Sequence, residues 1–124
     1  MLKTSILLLT LATVSLSTTP NNDSAVQIMS DNNIYIPENT KIVGNIKVDN
    51  NNHIKYSLTD SADKNLFNID NNTGTLSFKI NPDFEAPNDA DKQNQYNVTV
   101  MIDNNKGMSD KKDFVVTVLD IVEL

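Results

Sequence analysis

The chain has 124 residues, the size of one domain, and its 10 Lys against 16 acids give a net charge of −6. It has no cysteine, which excludes a disulfide framework, a Cys-type zinc site and a thiol nucleophile. An acidic surface without a single arginine is a poor partner for nucleic acid or anionic membrane and better suited to holding cations.

The first residues read as a secretory signal peptide over 1–17 and not as part of a fold. Lys3 supplies a positive charge, residues 6–14 are apolar, and Ser15-Leu16-Ser17 places small residues at the −3 and −1 positions of a cut after Ser17. The apolar run is shorter than the roughly 20 residues that span a bilayer, and no other segment is long enough. Cleavage would leave residues 18–124 as one domain of charge −7, secreted or held at the cell surface.

The rest alternates with period two, the pattern of half-buried strands. A short apolar stretch, 26–29 with 34–36, comes first. Ile42, Gly44, Ile46 and Val48 then form an inward-facing set, followed by Ile54, Tyr56 and Leu58. A stretch at 66–69 precedes Leu76, Phe78 and Ile80; Tyr96, Val98, Val100 and Ile102 follow, then Phe114, Val116 and Val118. Clusters of turn residues separate them, among them Asp31-Asn32-Asn33, Asp70-Asn71-Asn72-Thr73-Gly74 and Asn104-Asn105-Lys106-Gly107. The wide connection 82–95 holds Asp83, Glu85, Asp89, Asp91 and two prolines and reads as a loop. About seven strands of this spacing predict an all-β, seven-stranded Greek-key β-sandwich. The exposed edges of such a sandwich invite self-pairing, against which Lys111 and Lys112 near the last strand are expected to act.

The residues point away from catalysis. The one histidine, His53, sits at the start of a predicted strand, and there is no Gly-x-Ser-x-Gly elbow, Gly-rich phosphate loop or His-Glu-x-x-His helix. Asp83 and Glu85 as a glycosidase pair would need a sugar cleft that a small sandwich does not supply. Acids do fall at strand ends, where loops gather: Glu38, Asp83, Glu85, Asp103 and Asp120. Hard-cation ligation and plain solvation of turns both fit that spacing.

The motifs resemble those of cadherin repeats, especially the bacterial surface forms. Ile36-Pro37-Glu38-Asn39 resembles Val-Pro-Glu-Asn, and Tyr56-Ser57-Leu58 resembles the central Tyr-Ser-Ile strand. Phe67-Asn68-Ile69-Asp70, with Thr73-Gly74-Thr75-Leu76, resembles Phe-x-Ile-Asp-x-x-Thr-Gly-x-Ile, the most specific stretch. Pro82-Asp83-Phe84-Glu85 is similar to Leu-Asp-x-Glu, residues 96–103 to Tyr-x-Val-x-Val-x-Ala-x-Asp, and 114–120 to the last strand with its terminal Asp.

The resemblance implies an immunoglobulin-like sandwich and calcium. Glu38, Asp83, Glu85 and Asp120 would gather at one end. Asp49, Asn51 and Asp103, joined by Asn22 and Asp23, would gather at the other, with Asn51 an amide where the family's Asp-x-Asp has a second carboxylate. Because the family shares each calcium cluster between consecutive repeats, one repeat supplies half-sites, with affinity near about 10⁻⁴–10⁻³ M. The implied function is adhesion or self-association through calcium-stiffened modules, with the chain itself or another surface protein as partner. The alternative is a calcium-independent sandwich for carbohydrate or protein ligands, a relic of a larger adhesin.

Overall fold

Alternating apolar side chains force each strand to turn one face inward, and two such layers close on a shared core. The computed structural model describes residues 26–49 and 53–122; the expected signal peptide, together with Asn22, Asp23 and Asn51, lies outside them. Nine strands follow in chain order: β1 (Gln27–Ile28), β2 (Asn33–Pro37), β3 (Ile42–Asn45), β4 (Val48–Asp49), β5 (Lys55–Thr59), β6 (Phe67–Ile69), β7 (Thr75–Phe78), β8 (Gln95–Asp103) and β9 (Ser109–Leu119). One 3-10 turn, Lys64–Leu66, leads into β6. No helix among the described residues is long and apolar enough to cross a membrane.

One sheet runs β2-β9-β8-β5, the facing sheet β3-β7-β6, and β1 pairs with β4 as a short ribbon. Pairing is antiparallel throughout except for β2, which lies parallel to β9. The core is built by the inward sets read from the sequence: Leu76, Val100, Ile102 and Val116 are 0% exposed, and Phe114 1%. Each such side chain contributes roughly 1.5–3 kcal/mol on burial. The rings of Phe67, Phe78 and Tyr96 lock the sheets together, with Phe67–Phe78 centroids 4.5 Å apart and Tyr96 edge-on to Phe78 at 5.0 Å.

Nine strands replace the expected seven because two predicted strands change partner midway. The first breaks between 28 and 33, so that β1 joins the ribbon and β2 the large sheet. The second breaks at Ile46-Lys47, where the Ile46 N–H goes to the Gly74 carbonyl (2.9 Å) and Lys47 turns to Met29 and Ser30. Two expected core residues point outward. Ile42 is 61% exposed because the register slips between Ile42 and Gly44, and Ile80 is 73% exposed because β7 ends at Phe78. Lys111 and Lys112 lie in the part of β9 that pairs with β8 but precedes Val115–Leu119, the stretch paired with β2. His53 is exposed in the turn before β5, with φ 59°.

Candidate metal centre

At one end of the sandwich, three separate segments deliver carboxylates to one point. Glu38 follows β2 directly, and its N–H donates to the Leu119 carbonyl (2.9 Å), carrying the parallel ladder one step past the strand. That step sets Glu38 beside the end of β9, where Asp120 comes next. Asn39 then turns the chain with φ 63°, and its N–H donates to the Pro82 carbonyl (2.8 Å), which draws in the wide loop. In that loop Asp83 Oδ1 accepts the Glu85 N–H (3.0 Å), and its carbonyl accepts the Ala86 N–H (3.1 Å). This tight turn aims the Phe84 N–H at Glu38 Oε2 (3.1 Å) and brings Glu85 alongside. The Ile121 N–H reaches Glu38 Oε1 (3.3 Å) from the other side.

Glu38, Glu85 and Asp120 thus place one oxygen each within 4.8 Å of one another, the one group of three or more metal-type ligands among the described residues. Glu38 is 2% exposed, whereas Glu85 and Asp120 face solvent. Oxygens bound to one calcium ion at 2.3–2.6 Å lie at most about 4.6–5.2 Å apart, so the spacing fits one ion. The all-carboxylate donor set suits a hard cation rather than zinc or copper. Among the described residues the one side-chain ion pair is Lys64 with Asp60, far along the chain from this cluster, so no lysine neutralises it.

The three acids are electrostatically unequal. The Phe84 N–H holds the Glu38 carboxyl below its usual range, helped by the Ile121 N–H. The Glu85 carboxyl is pushed up to about 7, first by lost hydration within the cluster and then by repulsion from Glu38, a hydrogen bond with Asp83 and repulsion from Asp120. An acid whose folded pKa is raised binds more protons folded than unfolded, so it favours the fold at low pH and loses that contribution as pH climbs toward the folded value. Without metal, the melting temperature is therefore expected to fall between pH 4.5 and about 7. Glu85→Gln should flatten that slope when thermal unfolding is followed in a chelator. An equally steep slope in the variant would assign it to other groups.

The other sequence candidates take different places. Asp83 lies in the same turn but uses its carboxylate to shape the loop and to bond Glu85. At the opposite end Asp49 Oδ1 accepts the Gln27 N–H (2.9 Å) and Asp103 Oδ1 accepts the Asn105 N–H. Neither belongs to a group of three acids among the described residues. Sequence reasoning gave no role to Asp63 and treated Asp89 as one more loop acid, yet they are only 3% and 1% exposed. Asp63 accepts the N–H groups of Ala90 (2.7 Å) and Asn97 (2.8 Å), and Asp89 those of Gln93 (2.7 Å) and Asn94 (3.0 Å). They anchor the wide loop that carries Asp83 and Glu85. In a loop holding several acids, nothing in the order of residues marks which ones turn inward.

The cadherin domain matches the chain over residues 32–119. No curated protein sequence matches it. Among solved structures it is similar to human protocadherin-24 EC1-2 (TM-score 0.60, 14% identity, covering 77% of this chain and 44% of that one). It is likewise similar to Drosophila N-cadherin EC1-4 (0.61, 26%, covering 77% and 24%). The third cadherin domain of human protocadherin 7 resembles it along nearly its whole length (0.60, 20%, covering 84% and 92%). The chain spans less than half the length of the multi-domain structures it matches. The family match runs from the start of β2 to the end of β9, taking in Glu38 and the Asp83–Glu85 turn and stopping one residue before Asp120, and it establishes that this chain belongs to the cadherin domain family.

Proposed function

We propose that the domain is an adhesion module that binds calcium at Glu38, Glu85 and Asp120, with Asp83 holding Glu85 in position. The observation that carries this reading is the convergence of three carboxylates within 4.8 Å, one of them buried, with no basic side chain paired to them among the described residues. Calcium supplies the missing positive charge and ties the ends of β2 and β9 to the wide loop. Three carboxylates leave part of a 6–8-oxygen shell to water or to a neighbouring module, which keeps the affinity of the isolated domain near about 10⁻⁴–10⁻³ M. Glu38 is held charged by backbone donors, and Glu85 must give up its proton for the ion. The reading includes secretion after removal of residues 1–17, a domain over 18–124, and a partner that is a protein surface, either another copy or another adhesin. The second set of ligands, Asp49, Asn51, Asp103, Asn22 and Asp23, rests on family resemblance alone.

The test is thermal unfolding with calcium. At ten times a millimolar dissociation constant, linkage gives over ~1 kcal/mol, a rise in melting temperature of about 4–8 °C per kcal/mol for a domain of this size. Magnesium at the same concentration should do less, and Glu85→Gln should abolish the calcium shift. No shift with calcium in the unaltered protein would overturn the reading.

A further inference from the structure

A small pocket lies between the wide loop and the facing sheet, where β7 ends. It has a volume of about 100 Å³ and is lined by none of the three clustered acids. Buried Phe78, Pro82 and Tyr96, with half-buried Leu66, make its inside. Asn65, Lys79, Ile80 and Asn88 are exposed and make its rim.

The polar groups of this pocket are only partly used. The Tyr96 hydroxyl accepts the Asn88 N–H (3.2 Å). Tyr96 is 2% exposed, and among the described residues nothing accepts the proton of its hydroxyl. A buried phenol ordinarily spends that proton on a partner. The carboxamides of Asn65 and Asn88 likewise have no hydrogen-bond partner among the described residues. The pocket is therefore an apolar hollow with an unspent donor at its inner end and free carboxamides at its mouth. Few sites of this size combine apolar walls with convergent polar groups by accident of packing, and that combination is the mark of a ligand site.

Size and chemistry together select the occupant. Benzene fills a cavity of about 150 Å³, so about 100 Å³ excludes a sugar or aromatic ring and takes a group of about four heavy atoms. That group must be apolar on its flanks and accept one hydrogen bond at its tip. A carboxylate is unsuited, because the charges of Asp63 and Asp89 reach the Tyr96 hydroxyl and would repel it. We infer that the pocket binds the acetamido group of an N-acetylated hexosamine. The methyl lies against Leu66, Phe78 and Pro82, the carbonyl accepts the Tyr96 O–H, and the N–H donates to a carboxamide oxygen at the rim. The sugar ring stays outside, with an apolar face on Ile80, which is 73% exposed. Its hydroxyls meet the carboxamides, which both donate and accept. Lys79 is the one charged residue lining the pocket, and it disfavours an unacetylated, cationic amino sugar. An acetylated lysine carries the same group on a flexible alkyl chain and brings no hydroxyls to the rim, so the sugar is favoured over it.

The test is a titration of the full chain with N-acetylglucosamine, followed by backbone amide NMR shifts in chelator, so that the result does not depend on calcium. A dissociation constant on the order of 1 mM is expected, with shifts centred on Asn65, Lys79, Ile80 and Asn88. Glucose, glucosamine and Nε-acetyl-lysine should each bind at least about tenfold more weakly, since each lacks one of the groups the pocket matches. Tyr96→Phe removes only the hydroxyl and should weaken binding about tenfold. Should that variant fail to fold, Asn65→Ala combined with Asn88→Ala, at exposed positions, should weaken it as much. The absence of shifts up to roughly 20 mM sugar would overturn the proposal. So would equal affinity for glucose or for Nε-acetyl-lysine, or full affinity in both variants.

Discussion

Gly74→Ala is expected to cost about 3 kcal/mol or more, a loss of at least ~12 °C in melting temperature. Gly74 has φ 75°, in the left-handed region where a Cβ is strained, and a Cβ built there would lie 2.6 Å from Tyr56 Cε2 and 2.8 Å from Cζ. Tyr56 is 7% exposed, so its ring has nowhere cheap to go. Backbone strain and core overpacking each cost about 1–3 kcal/mol. Gly107→Ala is the matched control: its φ is 89°, but nothing lies within 4 Å of the added Cβ, so only the strain remains and the cost should be about 1 kcal/mol. Chemical denaturation of both variants gives the comparison. Equal losses at the two sites would mean that the Tyr56 contact contributes nothing.

That contact also explains two features of the sequence. Tyr56 and Thr73-Gly74 each stood in a stretch that resembled a cadherin motif, and neither stretch alone showed why. The ring of β5 lies across the β6–β7 turn, so the tyrosine and the glycine meet as one packing unit, and the Tyr56 N–H closes on the Asn71 carbonyl (3.1 Å) beside it. The inward sets of β5, β8 and β9 were legible because burial follows a period of two wherever a strand keeps a single partner. The exceptions mark changes of partner. Ile42 turned outward at an irregularity, and a strand expected over 42–48 divided where its backbone left β7 for β1. Neither depends on the residues of that strand alone. At the acidic end, the sequence marked Glu38, Glu85 and Asp120, but their meeting depends on one backbone bond from Glu38 to Leu119 and another from Asn39 to Pro82, between segments more than 40 residues apart. Long-range bonds of that kind leave no local trace.

The second large effect is expected at a residue with no motif. Asp63→Ala should cost about 2–4 kcal/mol, because the N–H groups of Ala90 and Asn97 lose a charged acceptor at 2.7 and 2.8 Å. Asp63 also donates its own N–H to the Asn97 carbonyl (3.1 Å), so it is bonded through both main chain and side chain to β8 and the loop before it. Water can reach part of the vacated space, since Ala90 and Asn97 are themselves exposed, and this sets the cost below that of two fully orphaned donors. Asp63→Asn keeps one acceptor oxygen but turns its NH2 toward the other N–H donor, so it should recover little of the loss. The consequence reaches the acidic end through the loop. Asp63 and Asp89 anchor its far half, and Asp83 and Glu85 sit in its near half. A loop freed at one end must be ordered when the ion binds, and that entropy is taken from the binding free energy. Asp63→Ala should therefore show both a lower melting temperature and a smaller calcium-induced rise, although Asp63 is no part of the proposed ligand set. A variant that loses stability but keeps the full calcium shift would show that the near half of the loop is held by Asn39 and Pro82 alone. One that loses less than ~1 kcal/mol would show that water replaces the carboxylate completely.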